Sequence, residues 1–335
     1  MKKICCFGEI LMRVSPPENW IEKNQLQVYI GGAEANVATA LANWGMPVKY
    51  VTAMPDNYAG HDIETYLQAK KIDTSAIAWQ GNRIGIYYMQ QGADLKHSGV
   101  IYDRFYSSFY ELKPGDINWD EVLKDVNWFH FTAISPALNP NIAAICKEAL
   151  EAAEAKSITI SVDLNYRSKL WKYGKDPIDI MPELVQYCDV IMGNIWAANT
   201  LLGISLDRDV EVVDQKDSYL DHAVKTSVEI QQKFPKCKTI AYTFRFDEPP
   251  SGIRYYAALY RENILLYTSK QFESQHIVDK AGSGDCFMAG LIYGLQLQHE
   301  AQYVIDFAAA AAFGKLSEIG DASKQTIEDV QKHLV

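Results

Sequence analysis

The chain has 335 residues, too many for a minimal domain and few for three, so one large domain with an appendage is expected. Hydrophobic residues make up 48% and charged residues 22%, an ordinary globular balance. The net charge of -10 argues against a nucleic-acid partner, and an anionic ligand would need basic groups gathered locally. No apolar run reaches the roughly 18 residues of a transmembrane helix. Glu9 and Arg13 interrupt the apolar N-terminal stretch and no cleavage site follows, so a cytoplasmic protein without membrane contact is expected.

Residues 2 to 7, KKICCF, predict a buried strand ending at Gly8. LQVYI alternates like a strand, Gly31 and Gly32 turn the chain, and Ala35 to Trp44 read as a small-residue helix ended by Gly45. PVKYVTAM is the next strand and YAGHDIETYLQAKK the next helix, a β-α-β-α start that signals a layered α/β fold. The stretch from Arg83 to Leu112 breaks this rhythm. It is aromatic and hairpin-like, and with residues 10 to 30 it would form a small extra sheet.

The alternation then resumes. NWFHFTA, SITISVDL, VIMGN and TIAYTF are predicted strands, separated by helices over PNIAAICKEALEAAEAK, PELVQYCD, IWAANTLLG and YLDHAVKTSVEIQQKF. RYYAALY and ENILLYTS predict an antiparallel pair, and helices over 286 to 297 and about 301 to 316 close the chain. No repeat or long linker divides residues 1 to 335, so they read as a single domain. None of the six cysteines forms a CxxC pair; five lie in apolar stretches, and Cys237, between two lysines, is expected at the surface. The histidines show no metal spacing.

The turn Gly282-Ser283-Gly284-Asp285 sits just before an apolar helix. Small residues let backbone approach a ligand, and a helix start offers unpaired N–H groups that can hold a transferring phosphoryl group. Asp285 is then placed to take a proton from an attacking hydroxyl. Taken alone, Asp285 reads equally as a helix N-cap on an ordinary loop. A second strand-to-helix turn, Gly31-Gly32-Ala33-Glu34-Ala35-Asn36, lies at the other end of the chain.

The two turns together resemble the ribokinase-like (PfkB) carbohydrate kinases. That family carries a GG…N element at its sugar site and an Asp-Thr-x-Gly-Ala-Gly-Asp signature near its C-terminus. Here the second element reads Asp279-Lys280-Ala281-Gly282-Ser283-Gly284-Asp285, with lysine in place of threonine. The resemblance spans essentially the whole chain. It implies a layered α/β/α domain with a mostly parallel central sheet and a small β-sheet lid from about residues 10–32 and 83–112. It also implies ATP and Mg2+ as cofactors, residues 282 to 285 as an anion hole, and Asp285 as the catalytic base.

The stretches FGEILMRVSPP, GGAEANVATALANWG, IYDRFYSSFYELKPGDI and DLNYRSKLW look like the branch of the family that acts on 2-keto-3-deoxygluconate. That likeness implies substrate contacts from Gly31, Gly32, Asn36, Tyr87, Tyr102, Arg104 and Arg167. A sugar acid brings a carboxylate, which a planar guanidinium binds with two prongs. Arg104 follows Tyr102 at strand spacing, so both would share a face, and Arg167 follows the end of a predicted strand, where α/β sheets bind ligands. Alone, Arg104 could be a surface strand residue, Arg167 a cap or ion-pair residue, and the tyrosines lid packing.

On the nucleotide side, Asn194 matches the Asn of a family Asn-x-x-Glu motif, but Ala197 stands where the Glu belongs. The metal ligands are therefore open, with Asp163 or Asp279 able to compensate through water. Arg245 is placed to meet phosphate or to be an ordinary surface arginine; Asp279, Gly282 and Gly284 complete the implied nucleotide set, and Lys280 adds a phosphate contact or is solvated. The expected activity is ATP-dependent phosphorylation of the 6-hydroxyl of 2-keto-3-deoxygluconate. The rivals are a family kinase for a neutral sugar, such as fructose or ribose, and a non-catalytic sugar-acid sensor. Exposed edges of the lid strands would suit pairing into a homodimer or larger homo-oligomer.

Overall fold

The computed structural model describes residues 2–90, 99–207, 215–248, 252–261 and 265–334. Parts of the predicted hairpin over 83–112 and of ENILLYTS lie outside the described residues. Strand β1 (Lys3–Phe7) is followed by β2 (Leu11–Ser15) and β3 (Gln27–Gly31), and Gly32 then caps helix α1 (Ala33–Asn43). Next come β4 (Val48–Val51), β5 (Ala53–Met54), α2 (Tyr58–Ala69), β6 (Ile72–Asp73), β7 (Ala78–Trp79), β8 (Gly85–Tyr88) and β9 (Ile101–Asp103). The chain continues through β10 (Val126–Thr132), α3 (Pro140–Ala155), β11 (Thr159–Asp163), α4 (Pro177–Val185), β12 (Val190–Gly193), α5 (Ile195–Leu202) and α6 (Lys216–Lys233). It ends with β13 (Thr239–Glu248), β14 (Gly252–Arg261), β15 (Leu265–Thr268), β16 (Phe272–Ser274), α7 (Ser283–Gln296), α8 (Ala301–Lys315) and a short terminal helix.

The ten-stranded main sheet runs β15-β14-β13-β12-β11-β10-β1-β4-β6, with β16 beside β14. Pairs from β6 through β13 are parallel, and β14 adds antiparallel neighbours. Central strands of such a sheet are buried on both faces, which explains runs like KICCF. Successive residues of β1 feed opposite cores: Cys5 and Phe7 pack with α3 to α6, while Ile4 and Cys6 pack with α1, α7 and α8. The strand order reverses between β1 and β10, and their C-terminal ends open a crevice of the kind that binds ligands.

The smaller sheet has order β3-β2-β8-β9; β2 pairs antiparallel with β3 and parallel with β8, and β8 pairs antiparallel with β9. One face carries the register row Tyr29–Arg13–Tyr87–Tyr102 and the other the row Val28–Val14–Tyr88–Ile101. Three expectations change. Cys237 is fully buried, because Phe234 and the start of β13 fold over it. The last long pair of helices starts earlier, at Ser283, so Gly282 is the N-cap and Asp285 lies inside the first turn. Arg245 lies within β13 rather than after it. No described helix is long and apolar enough to cross a membrane.

Helix α7 carries the phosphate-type turn, and its seat is α8. An added Cβ at Gly290 would lie 2.7 Å from Ala308 Cα, and one at Gly294 would lie 2.9 Å from a Val304 methyl. The backbones meet too closely for a side chain there. Gly290→Val is expected to destabilise the fold by about 1–3 kcal/mol through overpacking, read as a lowered midpoint in denaturant unfolding.

Candidate active site

A cleft of ≈ 690 Å3 opens at the C-terminal ends of β1, β10, β11 and β12, with the smaller sheet against its other side. Its floor is the start of α7. Gly282 takes φ 76°, where a Cβ would come within 1.8 Å of the Asp321 carbonyl oxygen, so glycine is required. The N–H groups of Ser283, Gly284 and Asp285 have no partner inside the helix and carry the positive end of its dipole. Ser283 turns its hydroxyl away to donate to the Ala312 carbonyl at 3.0 Å, and the space a Gly284 side chain would fill is open. The result is a bare backbone surface suited to an anion.

Asp285 is buried beside this surface, and Asn36 Nδ2 donates to its Oδ2 at 2.7 Å. Burial pushes the Asp285 carboxyl up to about 6, against the pull of the Asn36 hydrogen bond and the Arg167 charge. A carboxylate in that range is ionised at neutral pH and still basic enough to accept a proton. The N-terminal glycine turn thus aims the first helix at the Asp285 carboxylate. Gly32 has φ 121° and meets the Glu9 carbonyl oxygen, so it too must be glycine.

Asp163 and Glu34 crowd the same cleft. Burial, then the nearby Asp285 charge, raises Asp163 to about 8 at the end of β11. Burial raises Glu34 to about 7, although its Oε1 accepts from Thr132 N at 3.0 Å, Thr132 Oγ1 at 2.8 Å and Ser135 Oγ at 3.3 Å. Basic groups face them. Arg167 lines the cleft just past β11, with Nη1 donating to its neighbour's carbonyl, Tyr166 O, at 3.0 Å. Arg104 lines it from the smaller sheet, and its Nε donates to Glu9 Oε2 at 2.5 Å. Tyr87 and Tyr102 stand side by side, ring centroids 6.4 Å apart, and the Tyr87 hydroxyl donates to Asp321.

At the other end Asn194 caps α5 by accepting from Ala197 N at 2.8 Å, and Trp196, Ala197, Thr243 and Arg245 line the wall. Lys280 Nζ pairs with Asp247 Oδ1 at 2.7 Å instead of standing in solvent. The cleft therefore gathers Gly32, Asn36, Tyr87, Tyr102, Arg104, Arg167, Asn194, Arg245 and residues 282 to 285. Gly31 and Asp279 do not line it. Gly31 is backed by the Asp321 side chain, and the Asp279 carboxylate is engaged by Arg13, Ala281 N and Gly320 N. Sequence reading missed Glu9, Glu34 and Asp321 as cleft residues; the signal for Glu9 was its place directly after Gly8 at the end of β1.

Residues 1–230 match the model of the pfkB family carbohydrate kinases. The chain belongs to this family. It is 28% identical, over 99% of its length and 96% of the relative's, to the 2-dehydro-3-deoxygalactonokinase of Haloferax volcanii. The crystal structure of the 2-dehydro-3-deoxygluconokinase of Thermotoga maritima superposes with a TM-score of 0.89 at 34% identity, covering 100% of this chain and 99% of that one. The fructokinase of Xylella fastidiosa with bound ATP shares the fold at TM-score 0.75 and 19% identity, over 99% and 98% of the two chains. The chain is accordingly a carbohydrate kinase with the ribokinase-like fold.

In a pfkB kinase with this cleft, Asp285→Asn keeps the size and the Asn36 contact but removes the basicity. It should lower kcat by at least about 10²-fold with sugar affinity little changed, measured by steady-state kinetics and direct binding. A base must be ionised to work, so wild-type turnover should fall as pH drops through about 6. Asn36→Ala removes a bond that holds Asp285 down, so its acid limb should move to higher pH.

Proposed function

We propose that the enzyme transfers the γ-phosphoryl group of ATP to the terminal hydroxyl of a 2-keto-3-deoxy sugar acid, 2-keto-3-deoxygluconate first among them. The product is then 2-keto-3-deoxy-6-phosphogluconate. The observation that carries this reading is the pair Arg104 and Arg167 in the same cleft as Asp285 and its glycine turn. Two guanidiniums suit a carboxylate, and a neutral sugar offers them no charge to pair with. The names of the Haloferax and Thermotoga relatives, both for 2-keto-3-deoxy sugar acids, point the same way.

The chain's own groups supply the chemistry. Asp285 accepts the proton of the 6-hydroxyl, the oxygen bonds to the γ-phosphorus, and the bond to the β-γ bridging oxygen breaks to release ADP. The amides of residues 283 to 285 hold the charge that spreads over the equatorial oxygens. The smaller sheet acts as a lid over the whole-chain kinase unit and keeps water from the phosphoryl group. Among the described residues no three His, Cys, Asp or Glu side chains form a metal cage. Asp163 is a buried carboxyl at the phosphate side, and Ala197 contributes none. This donor set fits a Mg2+ that arrives on the nucleotide phosphates, keeps water ligands and leans on one carboxylate. Bound there, it would neutralise phosphate charge. The sensor alternative has no support, since the base and the anion surface are intact.

Purified enzyme with Mg-ATP and a panel of sugar acids and neutral sugars should release ADP with the sugar acids; release only with fructose or ribose would refute the assignment. Arg104→Lys, which keeps the charge that balances Glu9 but loses the fork, should raise KM for the sugar acid. Arg167→Ala should cost about 10- to 150-fold in kcat/KM, the worth of a charge-assisted hydrogen bond of about 1.5–3 kcal/mol. The ratio of kcat/KM for sugar acid over fructose should fall in both; an unmoved ratio removes the carboxylate reading.

A second copy of the chain is the proposed partner of the lid's outer face. Val28, Tyr88 and Ile101 lie in one register row there at 53%, 38% and 61% exposure, an apolar stripe across the sheet. Tyr88→Asp with Ile101→Asp should shift the enzyme to a smaller species in light scattering. A monomeric wild type would end that proposal.

A further inference from the structure

A knot of buried charge lies behind the phosphate turn, with Arg13 and Asp279 outside the cleft and Asp321 at its edge. Arg13 is 1% exposed and stands on the inner row of the smaller sheet between Tyr29 and Tyr87. Its Nη1 donates to Asp279 Oδ2 at 2.8 Å and lies 3.5 Å from Asp321 Oδ2. Its Nη2 reaches Ser15 Oγ at 3.4 Å, and its guanidinium lies 5.3 Å from the Tyr29 ring centre. Asp279 passes the contact on. Its Oδ1 accepts from Ala281 N at 3.0 Å, the residue before Gly282, and its Oδ2 accepts from Gly320 N at 3.2 Å.

Asp321 is wedged between both glycine turns. Its carbonyl oxygen fills the space under Gly282, its side chain fills the space at Gly31, and its carboxylate receives the Tyr87 hydroxyl. Two buried carboxylates this close need cationic partners: the buried Lys315 ammonium acts on both from a distance, and Arg13 is the cation in direct contact with them. Without it they repel or take up protons, and any movement of Asp279 pulls on the Ala281 amide and so on the start of the turn. Arg13 lines no part of the cleft, so it has no direct claim on sugar or nucleotide.

We propose that Arg13 is a positioning residue: from the smaller sheet it clamps Asp279 and Asp321, and so fixes the 281 to 285 turn at the geometry phosphoryl transfer needs. The sheet that carries Tyr87 and Tyr102 is thereby tied to the turn that carries the base. For its kinetic readout the proposal rests on the kinase reading above; its structural readout does not.

The test compares wild type with Arg13→Lys, which keeps the charge and loses the fork. Hydrogen–deuterium exchange of peptides across 277–290 should become faster, while peptides from α3 stay unchanged. With Mg-ATP and 2-keto-3-deoxygluconate, kcat should fall by about 10²-fold, the cost of a small misplacement at a reacting centre, and KM for the sugar acid should stay within about 3-fold. If Arg13→Lys does not fold, Arg13→Met with Asp279→Asn removes both charges together and should show the same faster exchange. Wild-type exchange and kcat in a folded variant would overturn the clamp. A loss confined to KM would also overturn it, by making Arg13 a substrate-binding group. A wild type inert with every sugar acid would defeat the proposed function, and the exchange data would still decide the clamp.

Discussion

One hydrogen bond, from Asn36 Nδ2 to Asp285 Oδ2, joins residues 249 positions apart and brings the two glycine turns face to face. Everything the cleft does depends on that meeting. Gly32 must come up against the Glu9 backbone, and Gly282 against Asp321, before the first helix and α7 can converge at their N-termini. Two helix starts aimed at one place, with Arg104, Arg167, Arg245 and Lys280 on the same lining, give a concentrated positive potential. This is how a chain of net charge -10 makes a site for polyanions.

The same meeting gathers Asp285, Asp163 and Glu34 where burial disfavours their charged forms. Stability gives way to function here. Each carboxyl whose ordinary range is raised on folding contributes stability that is present at low pH and is lost as pH rises through about 6, 7 and 8. Arg167 offsets part of the crowding at Asp285 and Asp163, and Arg104 at Glu34. The arginines proposed to read the substrate therefore also make the carboxyl-rich cleft tolerable.

The layered fold was legible because parallel strands and amphipathic helices announce themselves by period. KICCF and the two glycine turns are local patterns, and the strand forms where its pattern predicts, while each turn passes into helix two or three residues early, at Ala33 and Ser283. What escaped notice is non-local. Arg13 read as a charge that spoils an apolar leader, yet it sits at a buried position of an alternating strand and answers carboxylates from near the other end of the chain. Asp279 sits in the signature but serves the scaffold, and Glu9 and Asp321 carry no periodic mark. Pairings across hundreds of residues are fixed by packing, which a linear pattern does not encode.

The cysteines have a use that the chemistry does not require. All six are buried and unpaired, and burial pushes the thiols of Cys5 and Cys286 up to about 12. In the native molecule they are nearly inert to alkylating reagents, because the thiolate is the reactive form. They amount to a set of built-in opening reporters. Cys5, in the middle of the sheet, is uncovered only when the sheet comes apart. Cys286 follows Asp285 directly and is uncovered by a local lift of the first turn of α7. The difference between their labelling rates separates breathing at the site from unfolding of the whole, without any added probe.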